Sequence, residues 1–340
     1  MMPDEIELKR DLLCASDPCP ITRLSPYDGA VRDESRARER SAIAIGVFDG
    51  LHVGHRSLID ALIRDARERG VRSVIVTFDP DPDRVVSAHP AMKLMSGEDR
   101  LGSLASTGVD EVLVVPFTKE LAALGHEQFF RDVLFPYVDI ASIHVGSDFR
   151  LGAGGASTVE VIADWGAQAG IEVFGHELVR DDGAAVSASR IRERLAAGDI
   201  DVVRRELGRR YMVRGVVSTG RGEGSGMGFP TANISVPSGI QMPADGVYAG
   251  LLLVGDEVWP AAVNVGVPPM FSDKPESASL EANLLGFSGD LYGKSVALVF
   301  DKRLRPSKVF SSKQELIDTV LGNIEEVREM FGDDGVKVGL

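Results

Sequence analysis

The stretch Gly46-Val-Phe-Asp-Gly-Leu-His-Val-Gly-His55 constrains this chain more than any other. The apolar run at 41–47 before it has the pattern of a buried strand. A helical pattern follows from about 55 to 69, with Leu58, Leu62 and Ala66 on one stripe and Ile59 and Ile63 beside it. Gly70 stands where a left-handed helix cap is expected. A strand that feeds a helix N-terminus makes an anion site, because the first helical N–H groups are unpaired and the dipole favours negative charge. His52 and His55 sit at that junction, where imidazoles donate hydrogen bonds in either protonation state. Gly54 between them leaves room for a phosphate to approach the backbone, and Phe48 and Asp49 lead into the turn. The segment reads as a nucleotide site.

Further strands are expected at 71–78, 109–116 and 141–145, with helical segments between them. This alternation implies a parallel sheet with helices on both faces and ligands at the carboxyl ends of its strands. His52, His55, Asp79 and Asp148 all follow an expected strand, so they are expected on one edge. After about residue 205 the pattern changes. Strands are expected at 211–217, 247–254, 258–265, 280–285 and 296–300, separated by Gly/Pro/Asp turns, which suggests an antiparallel barrel. A closing helix is expected behind a capping box of Ser312 and Glu315, with Leu316, Ile317, Val320, Leu321, Ile324 and Val327 on its apolar face. The expected organisation is an N-terminal extension at 1–40 with at most a short helix, open to being mobile, then an α/β domain at 41–204 and a barrel domain at 205–335.

A chain of 340 residues exceeds one ordinary core, which fits two domains. Its net charge of -14 argues against a general nucleic-acid binder. Anionic small molecules remain open to it, since a few arginines, helix N-termini and Mg²⁺ invert the field locally. Cys14 and Cys19 are the only cysteines, and no zinc spacing surrounds them. They read as unpaired thiols in a reducing compartment. No apolar run approaches the ~18 residues of a membrane span. The acidic start lacks the basic-then-apolar pattern of a secretory signal, so a cytoplasmic location is expected, as a monomer or weak homo-oligomer.

Three more segments carry chemistry. Ser187-Ala-Ser-Arg-Ile-Arg192 opens a helix capped by Gly198, and its Ser189, Arg190 and Arg192 suit phosphate binding. Arginines in a first turn oppose the dipole at a cost of about 0.3–1 kcal/mol each, which an anionic ligand removes. The alternative is a simple cap with solvated arginines. Gly228-Phe-Pro-Thr-Ala-Asn233 follows a glycine-rich run that begins at Gly220. Pro230 fixes the turn, and the Thr231 hydroxyl and Asn233 amide oxygen are hard donors suited to Mg²⁺ with nucleotide phosphates. A plain hairpin turn is the alternative. Glu281 begins an otherwise apolar strand. It accepts a substrate hydroxyl proton if it faces the site, and is an exposed strand carboxylate otherwise.

These motifs, in this order over about 41–331, resemble the bacterial bifunctional riboflavin kinase/FAD synthetases. The first half shows the family's G-x-F-D-G-x-H-x-G-H, then Thr77-Phe-Asp-Pro80, Gly146-Ser-Asp-Phe-Arg-Leu-Gly152 and the Ser187–Arg192 segment. The second half shows P-T-A-N, Asn264-Val-Gly266, Leu280-Glu-Ala-Asn-Leu-Leu285 and Leu304-Arg-Pro306. The resemblance implies that His52 and His55 contact ATP phosphates and steady the α-phosphorus. It implies that Asp148, Ser189 and Arg192 line the nucleotide and FMN site. It further implies that P-T-A-N binds Mg²⁺ and ATP, and that Glu281 is the base for the ribityl hydroxyl. The implied chemistry is phosphorylation of riboflavin to FMN, then adenylylation of FMN to FAD. The chain departs from the pattern at Leu151, Ala188, Met270, Asn283 and Gly286. Two alternatives are another H-x-G-H nucleotidyltransferase, which lacks a P-T-A-N barrel, and a flavin-binding protein with degenerate sites.

Overall fold

The computed structural model describes residues 2–13, 17–27, 39–219, 230–266 and 280–339. The chain divides into two compact units. One is formed by residues 15–91 and 97–187, the other by 1–14, 92–96 and 188–340.

The first unit is built on a six-stranded sheet of β1 (Ile21–Arg23), β2 (Arg40–Ile45), β3 (Arg72–Asp79), β4 (Glu111–Pro116), β5 (Asp139–Gly146) and β6 (Glu172–His176). Its order is β1-β4-β3-β2-β5-β6, and every pairing is parallel. The expected α/β layer is therefore present, with two added edge strands. β1 is only three residues long, and β6 is half-exposed and polar, so neither carries a legible alternation.

Strand alternation divides the core. Ile43, Ile45, Val74, Val76, Ile143 and Val145 form one face with Phe129, Phe130 and Ile162. Ala42, Ala44, Ser142 and His144 point the other way, toward α2 (Val53–Arg69), whose Asp65 bonds both Ser142 and His144. Leu58, Ile59, Leu62 and Ala66 are the buried stripe of α2, and Gly70 caps it at φ 66 as expected. The unit also contains α3 (Gly97–Ala105) and α4 (Val159–Ala169). A two-residue ribbon, β7 (Arg180–Asp181) with β8 (Ala184–Ala185), follows β6.

The second unit contains α5 (Ala188–Ala197) and α6 (Ile200–Leu207), then β9 (Tyr211–Ser218), β10 (Ala232–Ser235), β11 (Gly246–Val254), β12 (Glu257–Val265), β13 (Leu280–Leu284) and β14 (Ser295–Pro306). These six strands run β11-β14-β9-β10-β13-β12 in antiparallel order, and β12 pairs back onto β11 to close the barrel. The closing helix, α7 (Lys313–Phe331), buries Ile324, Val327 and Phe331, whereas Leu321 of its expected apolar face is exposed. Ser312 accepts the Glu315 amide at 3.1 Å, as a capping box requires. The Glu315 carboxylate, however, accepts from the amide and hydroxyl of Ser311, one residue earlier than expected. A two-residue β15 (Val336–Lys337) joins β12.

Within this unit, α1 (Glu5–Asp11) is docked. Leu8 and Leu12 are fully buried among Met212, Leu251, Val299 and Val327. Asp11, also fully buried, accepts the Arg210 amide at 2.9 Å and its guanidinium at 2.7 Å. The short helix expected near the N-terminus is thus anchored by tertiary contacts that no local pattern announces.

Candidate functional site

The H-x-G-H turn hangs from the carboxyl end of β2. Two of its non-glycine residues occupy positive φ, Phe48 at 59° and Leu51 at 42°. Side chains avoid that region, and each such residue costs of order 1–3 kcal/mol. The turn leads into α2, and His52 is the helix cap, its Nδ1 accepting the His55 amide at 3.4 Å. A neutral imidazole that accepts at Nδ1 carries its proton on Nε2, so His52 presents a donor on its other side. The two rings stack with centroids 3.6 Å apart, and Phe48 meets His55 edge-on at 5.2 Å. A Cβ on Gly54 would lie 3.1 Å from the His52 ring, so glycine is what lets that ring fold over the helix start.

Burial holds His52 down to about pKa 4. Burial, then the neighbouring His52, holds His55 well below the usual imidazole range. Both rings are therefore neutral donors at pH 7. The His55 Nδ1 is buried without a hydrogen-bond partner. Asp49 is buried at the start of the turn. Asp79 is the last residue of β3 rather than the first after it, and Asp148 follows β5; both strands neighbour β2 in parallel, so the two carboxylates stand at the same edge of the sheet as the turn. Asp79 is ion-paired with Arg23 of β1 at 2.7 Å, whereas Asp148 is exposed.

One residue of this region was not legible in the sequence. Arg100 of α3 is 3% exposed, and its guanidinium reaches Val47 O, Thr77 Oγ1 and Phe78 O, all at 2.8 Å, and Asp81 at 2.9 Å. Its partners lie far off in sequence, so no motif marks it.

Ser189 and Arg192 open α5, which belongs to the second unit, with the guanidinium donating to the hydroxyl at 2.9 Å. Arg190, read from sequence as a further phosphate ligand, is instead paired at 2.5 Å with the fully buried Glu206. Gly198 ends α5 at φ 79, as expected.

In the barrel, β10 sets Asn233 directly across from Glu281 of β13, and Glu281 across from Asn264 of β12. Cross-strand partners share a face, so the three form one row. Ser218 of β9 extends it beside Asn233. The row is half-buried, while the alternating Ala232, Ile234, Ala282 and Val263 are buried. Thr231 is half-buried just before β10, and the Pro230 carbonyl accepts from Asn283 Nδ2 at 2.8 Å. Asn283, a departure from the family pattern, thus ties the P-T-A-N turn to β13. Gly228 and Met270 lie outside the described residues. Ser218 joins the site only through strand register, and register places Asn264 of the Asn264-Val-Gly266 motif in the same row. Among the described residues, no cluster of three or more His, Cys, Asp or Glu could hold a metal. Mg²⁺ fits the Thr231 and Asn233 oxygens on other grounds, since it needs few protein ligands when phosphates and water complete its shell.

Comparison with known proteins matches the two halves separately. The FAD synthetase family model covers residues 34–190, and the riboflavin kinase family model covers residues 207–331. A bifunctional riboflavin kinase/FMN adenylyltransferase from Bacillus subtilis (strain 168) is 30% identical over 86% of this chain and 93% of its own length. One of the same description from Escherichia coli (strain K12) is 31% identical over 87% and 94%. A crystal structure described as a macrolide-efflux protein from Streptococcus pneumoniae superposes with a TM-score of 0.79 at 25% identity, over 91% of this chain and 98% of that one. Among the described residues, no helix is long and apolar enough to cross a membrane. With both family models matched in order and full-length relatives of both activities, the chain belongs to the bifunctional riboflavin kinase/FMN adenylyltransferase family.

Proposed function

We propose that the two activities of this bifunctional enzyme rest on separate catalytic groups: the H-x-G-H turn for adenylyl transfer and the barrel row for phosphorylation. In the first reaction riboflavin and ATP give FMN. The ribityl 5′-hydroxyl attacks the γ-phosphate while Glu281 accepts its proton. Thr231 and Asn233 would hold Mg²⁺, which would neutralise phosphate charge; Pro230 shapes the turn, and Gly228 is a nucleotide-binding residue by its motif. In the second reaction the FMN phosphate attacks the α-phosphate of another ATP, and FAD and pyrophosphate result. A phosphate monoester is largely dianionic at pH 7, so this step needs no general base. His52 and His55 donate to the phosphate oxygens as charge develops. Phe48, Asp49 and Gly54 shape that pocket. Asp148 in the first unit, and Ser189 and Arg192 at the start of α5 in the second, are the proposed phosphate and flavin ligands. The enzyme works in the cytoplasm as a monomer or weak homo-oligomer.

The observation that most supports this reading is the register that sets Glu281 across from Asn233, the base beside the metal ligand. Paired variants test it. Glu281→Ala lowers riboflavin phosphorylation by about 10²–10⁴-fold and leaves adenylylation of supplied FMN unchanged. His55→Ala lowers adenylylation by about 10²–10³-fold and leaves phosphorylation unchanged. Equal loss of both activities in either folded variant contradicts the assignment.

A further inference from the structure

Arg100 is a buried cation in a place where a leucine would have served packing alone, since Leu101, Leu104 and Ala105 already anchor α3. Its acceptors show what it does instead. Val47 O is the last carbonyl before the left-handed Phe48, and Phe78 O stands near the end of the adjacent β3. Thr77 Oγ1 accepts from Arg100 at 2.8 Å and itself donates to Val47 O at 3.4 Å. Asp81, 8% exposed, supplies the counter-charge at 2.9 Å. α3 also packs against the short turn Asp49–Leu51. Strained backbone persists only where its surroundings over-determine it. Here the strained residues Phe48 and Leu51 lie in the turn that leads to His52, and one guanidinium ties down the point from which that turn departs.

We propose that Arg100 is a positioning residue for adenylyl transfer, clamping the ends of β2 and β3 so that His52 and His55 are held in the geometry the reaction uses. This rests on the assignment of the H-x-G-H turn to that reaction. A planar fork is required, because the three oxygen acceptors and the carboxylate surround it in different directions.

The test uses the full-length protein. Arg100→Lys keeps the charge beside Asp81 but cannot reach all three oxygens. Thr77→Val removes one acceptor and keeps the ion pair. Adenylylation kinetics, the kinase rate of the same preparation and thermal melting are measured for both. Arg100→Lys lowers kcat for FMN adenylylation by about 10–100-fold, with KM for ATP changed less than about threefold. The kinase rate is unchanged, and Thr77→Val shifts kcat the same way by a smaller factor. A merely structural role would lower the melting temperature and the active fraction, and cooling the assay would restore the rate. Adenylylation by folded Arg100→Lys within about threefold of the parent, or restored by cooling, overturns the proposal. If Arg100→Lys fails to fold, Thr77→Val decides, and an unchanged kcat overturns it. His55→Ala run alongside separates the two levels. Intact adenylylation in His55→Ala removes the turn from the reaction. Loss in His55→Ala with full activity in Arg100→Lys removes only the positioning role.

Discussion

At the scale of single residues, the H-x-G-H turn owes its chemistry to desolvation. His52 is held down to about pKa 4 by burial, and burial likewise lowers His55, His144 and His176 below the usual imidazole range. The unfolded chain titrates such groups near 6.5. Between that value and the folded one, the unfolded state binds more protons. The stabilisation is therefore complete above about pH 6.5 and is lost as pH falls toward 4. His52 alone accounts for a loss on the order of 3 kcal/mol. We expect the fluorescence-detected melting temperature of the Trp165 unit to fall steeply over that window, and His52→Gln to flatten the fall. A pH-independent melting temperature from 7 to 4.5 would contradict it. The histidines, serines and carboxylates proposed for the sites come from motif spacing. Arg100 does not, because its meaning lies in four partners brought together by the fold. Asn283 was legible only as a departure. Its role as donor to the Pro230 carbonyl needed the strand register.

At the scale of elements, strands with a strong apolar period were found where the sequence put them, because β2 to β5 are buried on both faces. Elements made by tertiary contacts were not. β1 and β6 are edge strands and β10 has four residues, whereas the short helix expected in the N-terminal extension is present as α1 and only its docking went unannounced. The anchoring of α1 has an energetic consequence. Leu8 is fully buried in the barrel unit, so Leu8→Ala should cost that unit about 2–5 kcal/mol. Kinase activity should be lost at a lower temperature than in the parent. Unchanged inactivation of the kinase in Leu8→Ala would show that α1 does not support the barrel.

At the scale of the whole molecule, composition and motif order already implied two folded halves and anionic small-molecule chemistry. The structure adds the layout of each half. A parallel sheet gathers its polar turns at the carboxyl ends of neighbouring strands, and a closed barrel lines up Ser218, Asn233, Glu281 and Asn264 by register. A net charge of -14 leaves anion binding to these local devices. We propose that the two reactions use separate groups, and we expect FMN made by one molecule to serve as substrate for another. The most direct measurement mixes folded Glu281→Ala and His55→Ala with riboflavin, ATP and Mg²⁺ and follows flavins by chromatography. We expect His55→Ala alone to stop at FMN, Glu281→Ala alone to leave riboflavin unconverted, and the mixture to form FMN and then FAD. A mixture that forms no FAD, although Glu281→Ala adenylylates supplied FMN, would contradict the claim.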